Sequence, residues 1–148
     1  MFLGLHLPSG PLQVVDIGSG PGFPGFPVAV LRPDCTVTLV ESHQRKAVFL
    51  REASRKVPNI RVVAKRAEEV SGPFDVAISR AVSYQDLDAV LRALASRAML
   101  LTGEEVPPDA LGFVWEAPIP LPWGERRFLR IACTRFDLPH LTPLPNRS

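Results

Sequence analysis

Four glycines, Gly18, Gly20, Gly22 and Gly25, fall within eight positions of the stretch VVDIGSGPGFPGFPVAVLRPD, residues 14–34. Glycine lets backbone approach a ligand closely and permits positive φ, so an apolar run feeding such a turn, with a second apolar run behind it, reads as a strand–turn–helix ligand site. The spacing Gly18-Ser19-Gly20-Pro21-Gly22 is G-x-G-x-G rather than the G-x-G-x-x-G of dinucleotide turns. Pro21 and Pro24 stiffen the loop and remove two N–H donors, a poor arrangement for a diphosphate. A ligand without phosphates, packed on close backbone, suits it better. Glu41 stands 19 residues past Gly22 at the end of the next β-branched run. An acidic residue there can take both ribose hydroxyls of a nucleoside, with charge-assisted hydrogen bonds of about 1.5–3 kcal/mol each. The competing reading is an ordinary tight loop, with Glu41 capping the following helix.

The elements that must position these residues alternate along the chain. QVVDI reads as a buried strand, and Pro27 suits the first turn of the helix behind the glycines. TVTLVE reads as a second strand. From His43 to Val57, apolar Ala47, Leu50, Ala53 and Val57 recur at three and four, which predicts an amphipathic helix. IRVVA, FDVAIS and AMLLT follow as strands, with a helix over Asp86–Arg97 before the last. The predicted parallel strands are Val14–Ile17, Val37–Val40, Arg61–Val63, Val76–Ile78 and Met99–Leu101. After Gly103 the texture changes. EEVPPD and EAPIPLPWGE read as proline-rich loops, and GFVWEA and RFLRIACTRF as a late antiparallel hairpin beside the fifth strand. Residues 1–12 and 137–148 read as tails of a single 148-residue domain.

Composition sets bounds. At 46% hydrophobic and 22% charged the chain can bury a core. The net charge of +2 does not by itself demand a polyanion. Fourteen of the seventeen basic residues are arginine, which suits phosphate and carboxylate recognition and equally suits a GC-rich or heat-adapted source. Cys35 and Cys133 sit in apolar contexts without metal spacing and read as reduced thiols. No apolar run reaches about 18 residues, so no membrane span is expected, and a cytoplasmic location follows. His6, His43 and His140 are scattered, so no metal site is expected.

The segments DIGSGPGFPGFPVAVLRPD, ESHQRKAVFLRE, KRAEEV, FDVAISRAV and GERRFLRI resemble the glucose-inhibited division protein B family, bacterial methyltransferases of guanine N7 in 16S ribosomal RNA. The pattern DxGxGxGxPGxPxA followed by ISRA is specific to that family, and the resemblance runs from about Val14 to Ile131. Together with the alternation of strands and helices, it implies an α/β fold, a Rossmann-like class I methyltransferase sheet of parallel strands in the order 3-2-1-4-5 with a late antiparallel hairpin. It also implies S-adenosylmethionine as cofactor and 16S ribosomal RNA or the small ribosomal subunit as partner. By the same resemblance Gly18 and Phe23 touch the cofactor, Gly20 and Gly22 shape the turn, and Glu41 holds the ribose. Ala67 and Glu68 frame the adenine, and Arg80 lies at the mouth near methionine and substrate, as both a cofactor contact and the candidate catalytic residue. Family members carry a helical segment of several dozen residues before the first strand; here MFLGLHLPSGPLQ stands in that place, and a short form is expected. They also carry lysine-glycine after the fifth strand, where this chain has Thr102-Gly103.

Guanine N7 has an exposed lone pair and needs no base, so no catalytic triad or carboxylate dyad is expected. The protein must mainly hold nucleophile and methyl donor in line, at roughly 3–3.5 Å. Two basic groups remain: Arg45, Lys46, Arg51, Arg55 and Lys56 within SHQRKAVFLREASRK, either a solvated helix face or an RNA contact, and Arg126, Arg127 and Arg130 near Trp123, a basic-aromatic cluster fit for RNA. Two other functions compete with methyl transfer: a shortened, non-catalytic or weakly active binding relative, and a nicotinamide-dependent oxidoreductase, which the G-x-G-x-G spacing disfavours.

Overall fold

β-Branched and aliphatic runs build the sheet. The computed structural model describes residues 2–18, 24–80, 93–102, 113–122 and 127–134. Its parallel strands are β1 (Gln13–Ile17), β2 (Thr36–Val40), β3 (Ile60–Val63), β4 (Phe74–Arg80) and β5 (Ala95–Thr102). Three late strands follow: β6 (Phe113–Trp115), β7 (Ile119–Pro120) and β8 (Phe128–Thr134). The order is β3-β2-β1-β4-β5-β8-β6, with β7 also on β8. β8 runs antiparallel to β5 and β6. The 3-2-1-4-5 order and the late hairpin beside the fifth strand are as the sequence predicts.

Period-two alternation splits the core between the two faces of the sheet. On one face Val14, Val37, Leu39, Val76, Ile78 and Met99 pack beneath helices α1 (Phe2–Leu5), α2 (Gly25–Leu31) and α3 (Gln44–Ala53). On the other face lie Val15, Ile17, Val40, Ala77, Ala98 and Leu100, met by Ala67, Val70, Phe74 and Trp115.

The structure departs from the sequence expectations in four places. The helix expected over Asp86–Arg97 does not reach Arg97: residues 86–92 lie outside the described ones, and β5 already begins at Ala95, opposite Phe74 of β4. Helix α3 stops at Ala53, which is exposed, and buried Ser54 completes the stripe of Ala47 and Leu50. Ile119–Pro120 is a strand rather than a loop; proline is tolerated there because β7 needs pairing on one side only. Residues 2–12 are not a loose tail, since Leu3 and Leu7, one helical turn apart, are buried in the core. Cys35 is buried and Cys133 half-buried, both as free thiols. The tail expected at 137–148 lies outside the described residues.

Two side chains tie distant segments to α2. Arg32 donates to the carbonyls of Pro8 (3.1 Å) and Gly10 (2.9 Å) while bonding Asp34 in a fork at 3.0 and 3.1 Å. The hydrogen bond from Arg32 holds the Asp34 carboxyl below the usual carboxylate range. Its contribution is therefore present above the ordinary carboxylate pKa and is lost as pH falls through the depressed value. Asn59 Nδ2, just before β3, donates to the carbonyls of Ala29 (2.8 Å), Arg32 (3.2 Å) and Cys35 (2.9 Å), capping the end of α2, where carbonyls lack helical partners. Asn59→Ala should cost about 1–3 kcal/mol by stranding these carbonyls, and Asn59→Asp at least as much, since an acceptor then faces acceptors. Urea denaturation measures both; a midpoint unchanged in both variants would show that the cap is dispensable.

Candidate functional site

The candidate residues converge at the carboxyl ends of the parallel strands. β1 lies between β2 and β4, so the chain order reverses there, and ligands of open α/β sheets bind in the crevice outside such a switch point. Beyond Ile17 the ladder runs on by one residue: the Gly18 N–H bonds the Val40 carbonyl at 3.1 Å and the Glu41 N–H bonds the Val63 carbonyl at 3.0 Å. Gly18 and Glu41 are thus neighbours. Pairing of Asp16 with Ile78 carries Arg80, the exposed last residue of β4, level with Gly18 on the other side. Ser79 Oγ donates to the Ile17 carbonyl at 3.1 Å and ties the two strand ends together.

Gly18 has φ +66°, and a Cβ built there would meet nothing within 4 Å. The turn therefore needs glycine for its backbone angle, and none of the described residues crowds the space above it. Glu41 is only 7% exposed. One of its carboxylate oxygens accepts the N–H of His43, the N-cap residue of α3, at 2.8 Å. That bond realises in part the helix-capping role weighed above, and it also fixes the direction of the carboxylate. Ala67 and Glu68 lie in a single 3₁₀ turn, Ala67–Glu69, whose Glu69 Oε1 accepts the Arg66 N–H at 3.2 Å. Ala67 packs against the cluster that includes Ile17 and Val40, and Glu68 is exposed. Gly18, Glu41, Ala67, Glu68 and Arg80 therefore gather at one end of the sheet. Gly20, Gly22 and Phe23 lie outside the described residues.

Asp16 and Gly25 matter more than their residue types suggested. Asp16 is fully buried, and its Oδ2 accepts the Gly25 N–H at 2.7 Å. A Cβ on Gly25 would strike Leu39 Cδ2 and come within 2.6 Å of that same oxygen. Gly25 is thus a close-packing glycine that seats α2 on β1, while Gly18 is the conformational one. An acidic residue within the apolar run VVDI was the available signal, because a buried carboxyl must find a donor. Ser79 gave none beyond its place in ISRA.

The basic-aromatic cluster on the late hairpin dissolves in part. Arg127 is exposed, but Arg130 is 7% exposed, its guanidinium carbon 5.8 Å from the centroid of the Phe128 ring. Trp123 and Arg126 lie outside the described residues. Thr102 is buried at the end of β5, opposite Phe128.

Residues 4–101 match the model of a family described as rRNA small subunit methyltransferase G. A protein of that name from Methylobacillus flagellatus is 48% identical over 82 residues, covering 53% of this chain and 39% of that protein. One from Nitrosomonas europaea is 51% identical over 79 residues, covering 51% and 36%. The match thus spans well under half the length of these relatives. Among solved structures, a SAM-dependent methyltransferase from Aquifex aeolicus superposes with TM-score 0.67 at 13% identity, over 83% of this chain and 82% of that one. The Rossmann-like α/β fold is the one these neighbours share.

The joint between β1 and α2 is testable without any ligand. Gly25→Ala should destabilise the chain by about 1–3 kcal/mol through overpacking, and Asp16→Ala by about 1–3 kcal/mol through an unpaired buried N–H. Chemical denaturation reads both, and wild-type stability in either variant would mean that the joint is slack.

Proposed function

The chain belongs to the rRNA small subunit methyltransferase G family, and from that premise we propose that it transfers a methyl group from S-adenosylmethionine to N7 of a guanine in 16S ribosomal RNA, presented as RNA or within the small subunit. One observation carries the reading: an open turn at positive φ, Gly18, stands beside a nine-tenths buried carboxylate, Glu41, at the switch point of the sheet.

The residues present fit such a cofactor. Gly18 offers backbone with no side chain in the way. Glu41 offers a directed acceptor for ribose hydroxyls, and the turn at Ala67-Glu68 offers backbone and an apolar flank to an adenine. When bound, S-adenosylmethionine supplies an electrophilic methyl on a sulfonium sulfur. Guanine N7 already carries an available lone pair, so the chain has no proton to remove and its work is alignment. Arg80, exposed and level with Gly18, would engage a phosphate or the O6 edge of the guanine and so aim N7.

Glu41→Ala should weaken S-adenosylhomocysteine binding at least about tenfold in calorimetry, since one charge-assisted bond is worth about 1.5–3 kcal/mol. Wild-type affinity in that variant would refute the pocket. Arg80→Ala should lower single-turnover transfer to small-subunit RNA more than it lowers cofactor affinity. A loss confined to cofactor affinity would make Arg80 a cofactor ligand instead.

A further inference from the structure

The charge of this chain is concentrated in one place. Residues 45–66 hold eight of its seventeen basic residues and one of its fifteen acidic ones, a formal +7 in a chain whose total is +2. Everything else together is therefore net acidic. The fold gathers this segment along one edge of the sheet. α3 and the turn after it carry Arg45, Lys46, Arg51, Arg55 and Lys56, and edge strand β3 and its exit carry Arg61, Lys65 and Arg66. All eight are exposed.

Two further observations separate this edge from an ordinary solvated surface. Solvated helix faces usually interleave the two signs, which stabilises them through i,i+4 pairs. Here the lone acid, Glu52, pairs with Arg55 at 3.3 Å, and no second acid shares the segment. Midway along α3, Val48 and Phe49 are 56% and 58% exposed among these cations. An exposed ring ringed by arginine and lysine can stack on an unpaired base while its neighbours meet phosphates. On the opposite face of the sheet, Arg61 and Lys65 line a cleft of about 350 Å³ together with one acid, Glu69, so two of the eight cations reach around the β3 edge.

We infer that the α3–β3 edge, residues 45–66, is the surface on which this chain docks the phosphodiester backbone of its RNA, with Phe49 as a stacking platform. This rests on the reading of the chain as an RNA-modifying protein. α3 begins three residues after Glu41, so RNA lying along it leads to the end of the sheet where Gly18, Glu41 and Arg80 meet. The late hairpin is the weaker candidate, because Arg130 is turned inward.

The test uses the whole chain and a transcript of small-subunit ribosomal RNA, with binding measured by fluorescence anisotropy from low to high KCl. In the quadruple variant Arg45→Gln/Lys46→Gln/Arg51→Gln/Arg55→Gln, affinity at about 0.1 M salt should fall at least tenfold. The slope of log K against log salt should become shallower by about 3–4, since each of the four lost phosphate contacts removes about 0.7–1. Phe49→Ala should weaken binding several-fold and leave the slope unchanged. The charge-keeping variant Arg45→Lys/Arg51→Lys/Arg55→Lys should keep the slope. S-Adenosylhomocysteine affinity, measured in parallel, should stay within about twofold of wild type throughout, which shows that the variants are folded. An unchanged slope in the quadruple variant, a loss carried instead by Arg127→Gln, or a wild type that does not bind the transcript would each overturn the assignment. If the wild type failed to bind S-adenosylhomocysteine while the quadruple variant still lost RNA, the methyl-transfer reading would fall and the docking surface would stand.

Discussion

A carboxyl group with no access to water decides how this chain enters its first helix. Asp16 lies on β1, the central strand, and its Oδ2 accepts the backbone N–H of Gly25 at the start of α2. Burying such a group without a partner costs several kcal/mol, so strand and helix must meet there. They meet so closely that no Cβ fits. At the other end, the Gly18 N–H continues the ladder to β2. Gly18 and Gly25, the described residues on either side of the glycine turn, are therefore each fixed to the sheet.

The same economy recurs across the sheet end. Ser79 links β4 to β1, Asn59 fastens the end of α2 to the start of β3, and the Glu41 carboxylate is directed by the N–H of His43, the N-cap residue of α3. Each bond joins residues that are far apart in sequence or belong to different elements. Together they hold an acceptor, an open turn and an exposed guanidinium in one row. The row is made mostly by backbone register, and only a few of its side chains are specialised. That suits a reaction in which positioning is the main demand.

Much of this was legible in advance. Alternating apolar runs and glycine or proline breaks marked the strands and their parallel crossovers, and the family resemblance supplied their order. Gly18 and Glu41 were legible because a glycine turn and an acidic strand end carry meaning through their spacing. Other features were hidden for physical reasons. Ala95–Arg97 reads as helix because alanine and arginine favour it, and only pairing with β4 makes it strand. Nothing local marks Pro120 as an edge-strand residue. Arg130 looked like a surface cation until its strand turned it onto Phe128. Asp16 and Gly25 were conspicuous singly, but their mutual contact is a fact of tertiary packing.

β3 is both the most positive border of the sheet and one with unpaired backbone groups, the usual template on which copies of a protein stick to one another. It is only four residues long, and Arg61 projects from its middle. Repulsion between such borders discourages two molecules from zipping into a continuous sheet, so the charge along β3 works against edge-to-edge association. High salt, which screens that repulsion, would remove the protection.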